Sequence, residues 1–178
     1  RASGGIYYQA PFYRELRGID GTLYPDVHAQ QSVHLVLGSD YSFHMLGRNF
    51  KLTSEVFYKF LNNLIPYKID NLRIRYLPNF ESKGYSTGID LRLFGEFVKG
   101  TESWASLSIL KTEEDVIGDY YYKNYNAAGE LIVPGYTYDT KVVTSVKVNP
   151  GYIPRPADQR VTFSMFFQDY LPKSPTYK

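Results

Sequence analysis

The sequence predicts an all-β protein: antiparallel strands, about six to eight of them, forming a segment of a transmembrane β-barrel. Three observations predict it. Runs with strict apolar–polar alternation fill much of the 178 residues, while helical periodicity is scarce. The links between these runs alternate short and long. The apolar side of each run is long enough, about 9–11 residues in a tilted strand, to cross a hydrocarbon layer, and aromatic residues stand at its ends.

Composition narrows the classes. Net charge is +2 with both signs mixed, so no polyanion partner and no nucleic acid is implied. The chain has 18 Tyr and 11 Phe against one Trp, and Tyr gathers where one end of a side chain is dry and the other wet. Absence of Cys excludes disulfides and thiolate ligands. No window of about 18 apolar residues exists, which excludes a transmembrane helix. The chain opens at RASGGIYY, already strand-like, and stops at SPTYK just after a turn. We expect it to be a piece of a longer polypeptide.

Six strands are predicted, at residues 2–9, 32–44, 50–61, 85–98, 104–111 and 159–170, with 72–77 and 141–148 also extended. The best helical candidate, 54–64, alternates equally well as a strand and lies within the third of them. Short links are MLGRN (45–49), KGTES (99–103) and LPKSP (171–175), the first two with a Gly to turn on. Long links cover about 10–31, 62–84 and 112–158. Loops beyond about 12–15 residues are uncommon in compact soluble domains, yet every second loop here is one. Tight periplasmic turns and long extracellular loops would give this pattern.

The two faces of each run differ. One carries Leu35, Leu37, Leu52, Val56, Ile89, Leu91, Leu93, Phe163 and Met165, predicted to face lipid. The other carries Lys51, Glu55, Lys59, Asp90, Arg92, Glu96 and Arg160, predicted to face a lumen. Tyr41, Phe43, Phe50, Phe97, Trp104 and Tyr170 are expected in an aromatic girdle by the short turns, with Tyr58, Phe60 and Tyr85 at the far ends.

The runs DYSFHMLGRNFKLTSEVFYKFLNNLIPY, KGYSTGIDLRLFGEFVKGTESWASLSILKTEED and GYIPRPADQRVTFSMFFQDYLP resemble the barrel of TonB-dependent receptors of the Gram-negative outer membrane. The likeness is to the large type with a carboxypeptidase-regulatory-like domain before the plug. KGYSTGID leads into a long strand as in that family, and PRPADQR opens the next descending one. The resemblance implies a barrel of about 22 strands around a plug, of which 1–178 is one partial barrel domain without the plug or the terminal strand. It implies uptake of a scarce solute, an oligosaccharide, peptide or metal chelate. Its partners would be outer-membrane lipid, the protein's own plug domain and remaining barrel strands, an energy-coupling inner-membrane protein, and a surface lipoprotein lid.

Candidate sites are few. Tyr120, Tyr121, Tyr122, Tyr125, Tyr136 and Tyr138 crowd one loop whose NAAG could turn an outward hairpin. They could stack on a sugar, meet a lipoprotein, or pack the hairpin. Glu113, Glu114, Asp115 and Asp119 form an acidic cluster at the base of the longest loop, without the spacing of a calcium motif. His34 and His44 share a face but stand roughly 33 Å apart along a strand at about 3.3 Å per residue, too far for one zinc ion, and His28 lies outside both. No metal, cofactor or catalytic constellation is expected. Besides the uptake receptor, two readings stand: a receptor-like barrel serving as a non-transporting subunit of an outer-membrane assembly, and a soluble tyrosine-rich carbohydrate-binding sandwich.

Overall fold

The structure, a computed structural model, describes residues 1–98 and 101–168. Its strands are β1 (Ala2–Gln9), β2 (Gln30–Met45), β3 (Arg48–Leu64), β4 (Tyr67–Asp70), β5 (Arg73–Tyr76), β6 (Ser82–Gly95), β7 (Glu102–Val116), β8 (Tyr121–Tyr125), β9 (Thr144–Val148), β10 (Ile153–Pro154) and β11 (Val161–Gln168). β1, β2, β3, β6 and β7 pair in that order, all antiparallel, and β7 then pairs with β11 along one half of its outer edge and β10 along the other. Two hairpins, β4–β5 and β8–β9, stand off the main sheet. The fold is all-β and antiparallel, as predicted. The described strands form an open sheet, with one edge of β1 and one of β11 unpaired among the described residues.

Register makes the two faces continuous across strands. Leu37 opposes Val56, Val56 opposes Ile89, Ile89 opposes Ile109, and Ile109 opposes Val161. One residue out of step lie Gly38, Glu55, Asp90 and Ser108. Period-two alternation therefore gives one apolar and one polar face, and a one-residue slip would exchange them. The apolar face is bare: Leu37 is 64% exposed, Val161 65% and Phe163 60%.

The hydrophobic residues that are buried, Phe50, Leu61, Leu64 and Ile65, lie near the strand ends and not behind the sheet. Accessible surface is 13159 Å², whereas a compact monomer of 20.5 kDa would expose about 8,800 Å². The single layer leaves its apolar face without a packing partner among the described residues.

Aromatic rings close off the apolar face at both ends. By the short turns, Tyr41, Phe43, Phe50, Phe97 and Phe167 form a chain with successive centroids 5.6, 5.8, 5.7 and 5.9 Å apart. Gly95 opposes Phe50 and admits it, since a Cβ there would sit 2.3 Å from the Phe50 ring. At the other end Phe60, Tyr58, Tyr85 and Tyr152 are linked at 4.6, 5.9 and 5.6 Å. Trp104 corrects the expectation. It lies on the polar face opposite Phe94 and stacks on Phe166, because its sequence parity is that of Ser106 and Ser108. Tyr170 and the LPKSP link lie outside the described residues.

Several boundaries also differ. β2, β3 and β7 are longer than predicted, so MLGRN shrinks to a two-residue turn, Leu46 and Gly47, with φ of 54° and 71°. That is the left-handed pair of a type I′ hairpin. The fourth strand starts earlier, at Ser82, and ends at Gly95. The last begins at Val161. β3 continues through a bulge between Leu61 and Leu64, where Asn63 turns left-handed (φ 52°) and its amide donates to the Ala29 carbonyl at 3.2 Å. The extended stretches 72–77 and 141–148 fall on β5 and β9.

Candidate functional site

Antiparallel order places the segments 10–29, 65–81 and 117–160 at one end of the sheet, opposite the Leu46–Gly47 turn. Two regions gather polar and aromatic side chains: the polar face of the sheet and the cluster of long segments at that end.

On the polar face the predicted charges form short networks. Arg1 donates to Glu55 at 2.6 Å and stands 3.8 Å from Asp40. Asp40 also takes the Thr53 hydroxyl at 2.8 Å and lies 3.7 Å from Lys51. Asp90 accepts from Ser108. Arg92 lies over Phe94 and Trp104, 5.7 and 5.5 Å from their centroids, and Lys59 over Phe57 at 5.1 Å. Arg1, Thr53, Glu55, Asp90, Arg92 and Ser108 line a groove of about 400 Å³. Glu55 and Asp90 oppose each other directly, a like-charge pair held apart because Arg1 and Ser108 each satisfy one of them. Arg160 stands apart from this network. It precedes β11 and turns back to Asp158 at 2.5 Å. Glu96 follows β6, its carbonyl accepting from Arg48 at 3.2 Å.

In the last of these segments, the NAAG motif forms a tight turn: Gly129 N–H donates to the Asn126 carbonyl at 3.0 Å with φ of 78°, and the Asn126 side chain takes the Glu130 N–H at 2.9 Å. Tyr125 bridges to Leu131 and pairs with Thr144, so the chain folds back twice. Tyr120 and Tyr122 meet edge to face at 5.6 Å, with the Lys147 ammonium 3.8 Å over Tyr120. Tyr121 points from the other side of the strand. Val133, Pro134, Gly135 and Tyr136 make a second tight turn, Gly135 at φ 82°. It presents Tyr136 at 91% exposure, with Tyr138 close by and fully exposed. The structure thus brings two of the six tyrosines together and leaves Tyr136 and Tyr138 projecting singly.

The acidic cluster disperses. Glu113, Glu114 and Asp115 lie within β7, not in a loop, and alternate between faces. Glu113 takes the Tyr85 hydroxyl at 2.5 Å and Lys111 at 3.0 Å. Glu114 is buried, accepting from Ser82 at 3.2 Å and facing Arg155 at 3.4 Å. Asp115 pairs with Lys83 at 3.6 Å. Asp158 accepts the Thr112 N–H at 2.8 Å. That bond, aided by Arg160, holds its carboxyl below the ordinary aspartate value. Together with β10, these contacts strap the long segment 117–160 to β7. Among the described residues no three His, Asp or Glu side chains gather as metal ligands.

The segments 10–29 and 65–81 enclose two cavities. One, of about 540 Å³, is lined by Tyr24, Asp26, His28, Asn63, Asn79 and Phe80 among others. The other, of about 360 Å³, lies between Tyr13, Arg14 and Arg17 on one side and Ile74, Arg75 and Tyr76 on the other. Sequence reading missed both. Arg14 and Arg75 are sixty-one positions apart, and only pairing of β4 with β5 turns Arg75 toward the first segment. Comparison with protein-family models, with curated proteins and with solved structures gives no match.

Proposed function

We propose that the chain is one sector of an outer-membrane barrel of the TonB-dependent receptor type, whose work is energised uptake of a scarce solute through the membrane. One observation carries the membrane part: an exposed apolar face, continuous over six strands, bounded at both ends by rows of aromatic rings. From Phe50 to Tyr58 is eight residues of β3, roughly 26 Å along the strand at about 3.3 Å each. At a barrel tilt of about 40° this spans roughly 20 Å of depth, close to the apolar band of about 25 Å in outer-membrane barrels. Lipid would cover this face and leave the polar face toward a lumen. The unpaired edges of β1 and β11 would then join further strands, since an open edge in hydrocarbon leaves backbone groups without partners.

Receptor function is supported by the mouth. Two of the three long, internally hydrogen-bonded segments enclose cavities at the end where solutes would arrive, and the networked polar face offers a surface for a plug. The test is fractionation of producing cells followed by intact mass of the detergent-extracted polypeptide. Recovery from the outer-membrane fraction, in a polypeptide several times 20.5 kDa that includes a plug and an energy-coupling segment, is the expected result. A monomer in the aqueous fraction without detergent would refute the membrane reading. A membrane polypeptide lacking plug and coupling segment would refute uptake.

A further inference from the structure

We propose that the cavity between the first outer segment and the β4–β5 hairpin binds a soluble solute carrying an oxyanion on a ring: a sugar acid, sugar phosphate or sugar sulfate. This deepens the receptor reading by naming a solute class, and rests on that reading only for the word uptake. The charge balance at the cavity carries it. Arg14, Arg17 and Arg75 line the space with no carboxylate among the lining residues. Lys68 stands directly opposite Arg75 in the β4–β5 register, so this face carries two cations beside the one carboxylate of Asp70.

Two nearby carboxylates are engaged elsewhere. Glu15 accepts the Phe12 N–H at 2.8 Å and lies 3.4 Å from the Gln30 amide. Asp20 is occupied by the Thr22 hydroxyl and N–H at 2.6 and 3.1 Å, which holds its carboxyl ionised below the ordinary range. Asp70 forms an ion pair with the Nε of Arg75 at 3.7 Å, beyond hydrogen-bond distance, and that Nε faces away from the cavity's open space. Arg14 makes no side-chain hydrogen bond or ion pair among the described residues. A guanidinium offers planar pairs of donors that match carboxylate, phosphate and sulfate oxygens.

The rest of the lining suits a ring. Tyr13 and Tyr76 supply aromatic walls, and Ile19 and Ile74 apolar ones. The volume, about 360 Å³, lies at the small end of ligand pockets and matches one ring with a charged substituent. The walls are preformed. Arg17 is fixed by its bond to the Tyr13 hydroxyl at 2.7 Å. The segment behind it is closed by Gly18 N–H donating to Thr22 at 2.9 Å and Tyr24 N–H to Leu16 at 2.9 Å. Little ordering would therefore accompany binding.

The experiment is calorimetric titration of the full-length protein in neutral detergent with glucuronate, glucose 6-phosphate and glucose. The two acids are expected to bind and glucose to bind at least about tenfold more weakly. Arg14→Gln, an exposed change that leaves the fold's contacts in place, should weaken the acids about tenfold, the equivalent of one lost charge-assisted bond. Arg75→Gln should do the same, and Lys141→Gln, a cation outside the cavity, should change nothing.

Equal binding of glucose and the acids, or indifference to Arg14→Gln, would overturn the proposal. So would displacement of the sugar acids by phosphatidylglycerol micelles at tighter affinity, which would reassign the site to lipid headgroups. None of these outcomes alters where the protein fractionates, so failure here and failure of the membrane reading are separately visible.

Discussion

Leu37 separates lipid, core and water as the medium on the apolar face. It lies midway along β2 between Phe43 and Val33, opposes Ala2 on one side and Val56 on the other, and is 64% exposed. Leu37→Arg therefore removes little packing, and small Ala2 leaves room for the longer side chain. In water such a change is worth within about 0.5 kcal/mol. At the centre of a bilayer it costs about 2–4 kcal/mol, falling to about 0–1 kcal/mol near the interface.

Val33, on the same face but level with Phe60 and Ile6 at the mouth-side ring row, supplies the shallow position. Val36, one residue from Leu37 on the polar face, supplies the opposite side. The assay is urea titration of the full-length protein refolded into phospholipid vesicles, followed by its heat-dependent electrophoretic mobility. The expected order is a loss of about 2–4 kcal/mol for Leu37→Arg and about 1 kcal/mol or less for both Val33→Arg and Val36→Arg. Small, equal effects at all three would mean that water wets both faces. Large losses at Leu37 and Val33 alike would mean a protein core covers the apolar face. Either result refutes the lipid assignment.

Leu46→Asn should raise stability by about 1 kcal/mol, because Leu46 holds a left-handed backbone (φ 54°) that Asn tolerates and Leu does not; the urea midpoint of the same refolded protein measures it. The strap at Asp158 should loosen in acid. Its folded carboxyl is depressed below the ordinary 3.8, so its contribution is complete above that value and is lost as pH falls through the depressed one. Hydrogen-exchange protection of the Thr112 amide should drop over that acid interval, and Asp158→Asn should make protection low and flat with pH.

The sheet was legible because alternation is a local signal. Val33, Leu35 and Leu37 against His34, Val36 and Gly38 mark two faces without knowledge of any partner strand. Strand ends were less legible because they depend on register. β7 runs on to Val116 since Lys83 and Ser82 on β6 continue to pair with it, which nothing within residues 112–116 announces. Chemical type alone puts Trp104 in the girdle, whereas its parity with Ser106 and Ser108 assigns it to the polar face. The β4–β5 hairpin was hidden because its turn uses Asn71 and Leu72, both left-handed, where the recognisable signal would be Asn-Gly. The Arg–Tyr cavity was invisible for a different reason: it is assembled from two segments that meet only after the hairpin has formed.

The polar face and the open edges bear on each other. Glu55 and Asp90 stand opposed, and their charges are tolerable because Arg1 on β1 and Ser108 on β7 reach in from either side. Glu55 and Asp90 are thus each satisfied from a neighbouring strand. An isolated sheet would leave the outermost members of these networks to water and its apolar face uncovered. In the proposed barrel, closure around a lumen would satisfy the first and lipid around the outside the second, so one arrangement would remove both penalties. A second sheet packed on the apolar face would cover the leucines but leave the unpaired edges of β1 and β11 as they are.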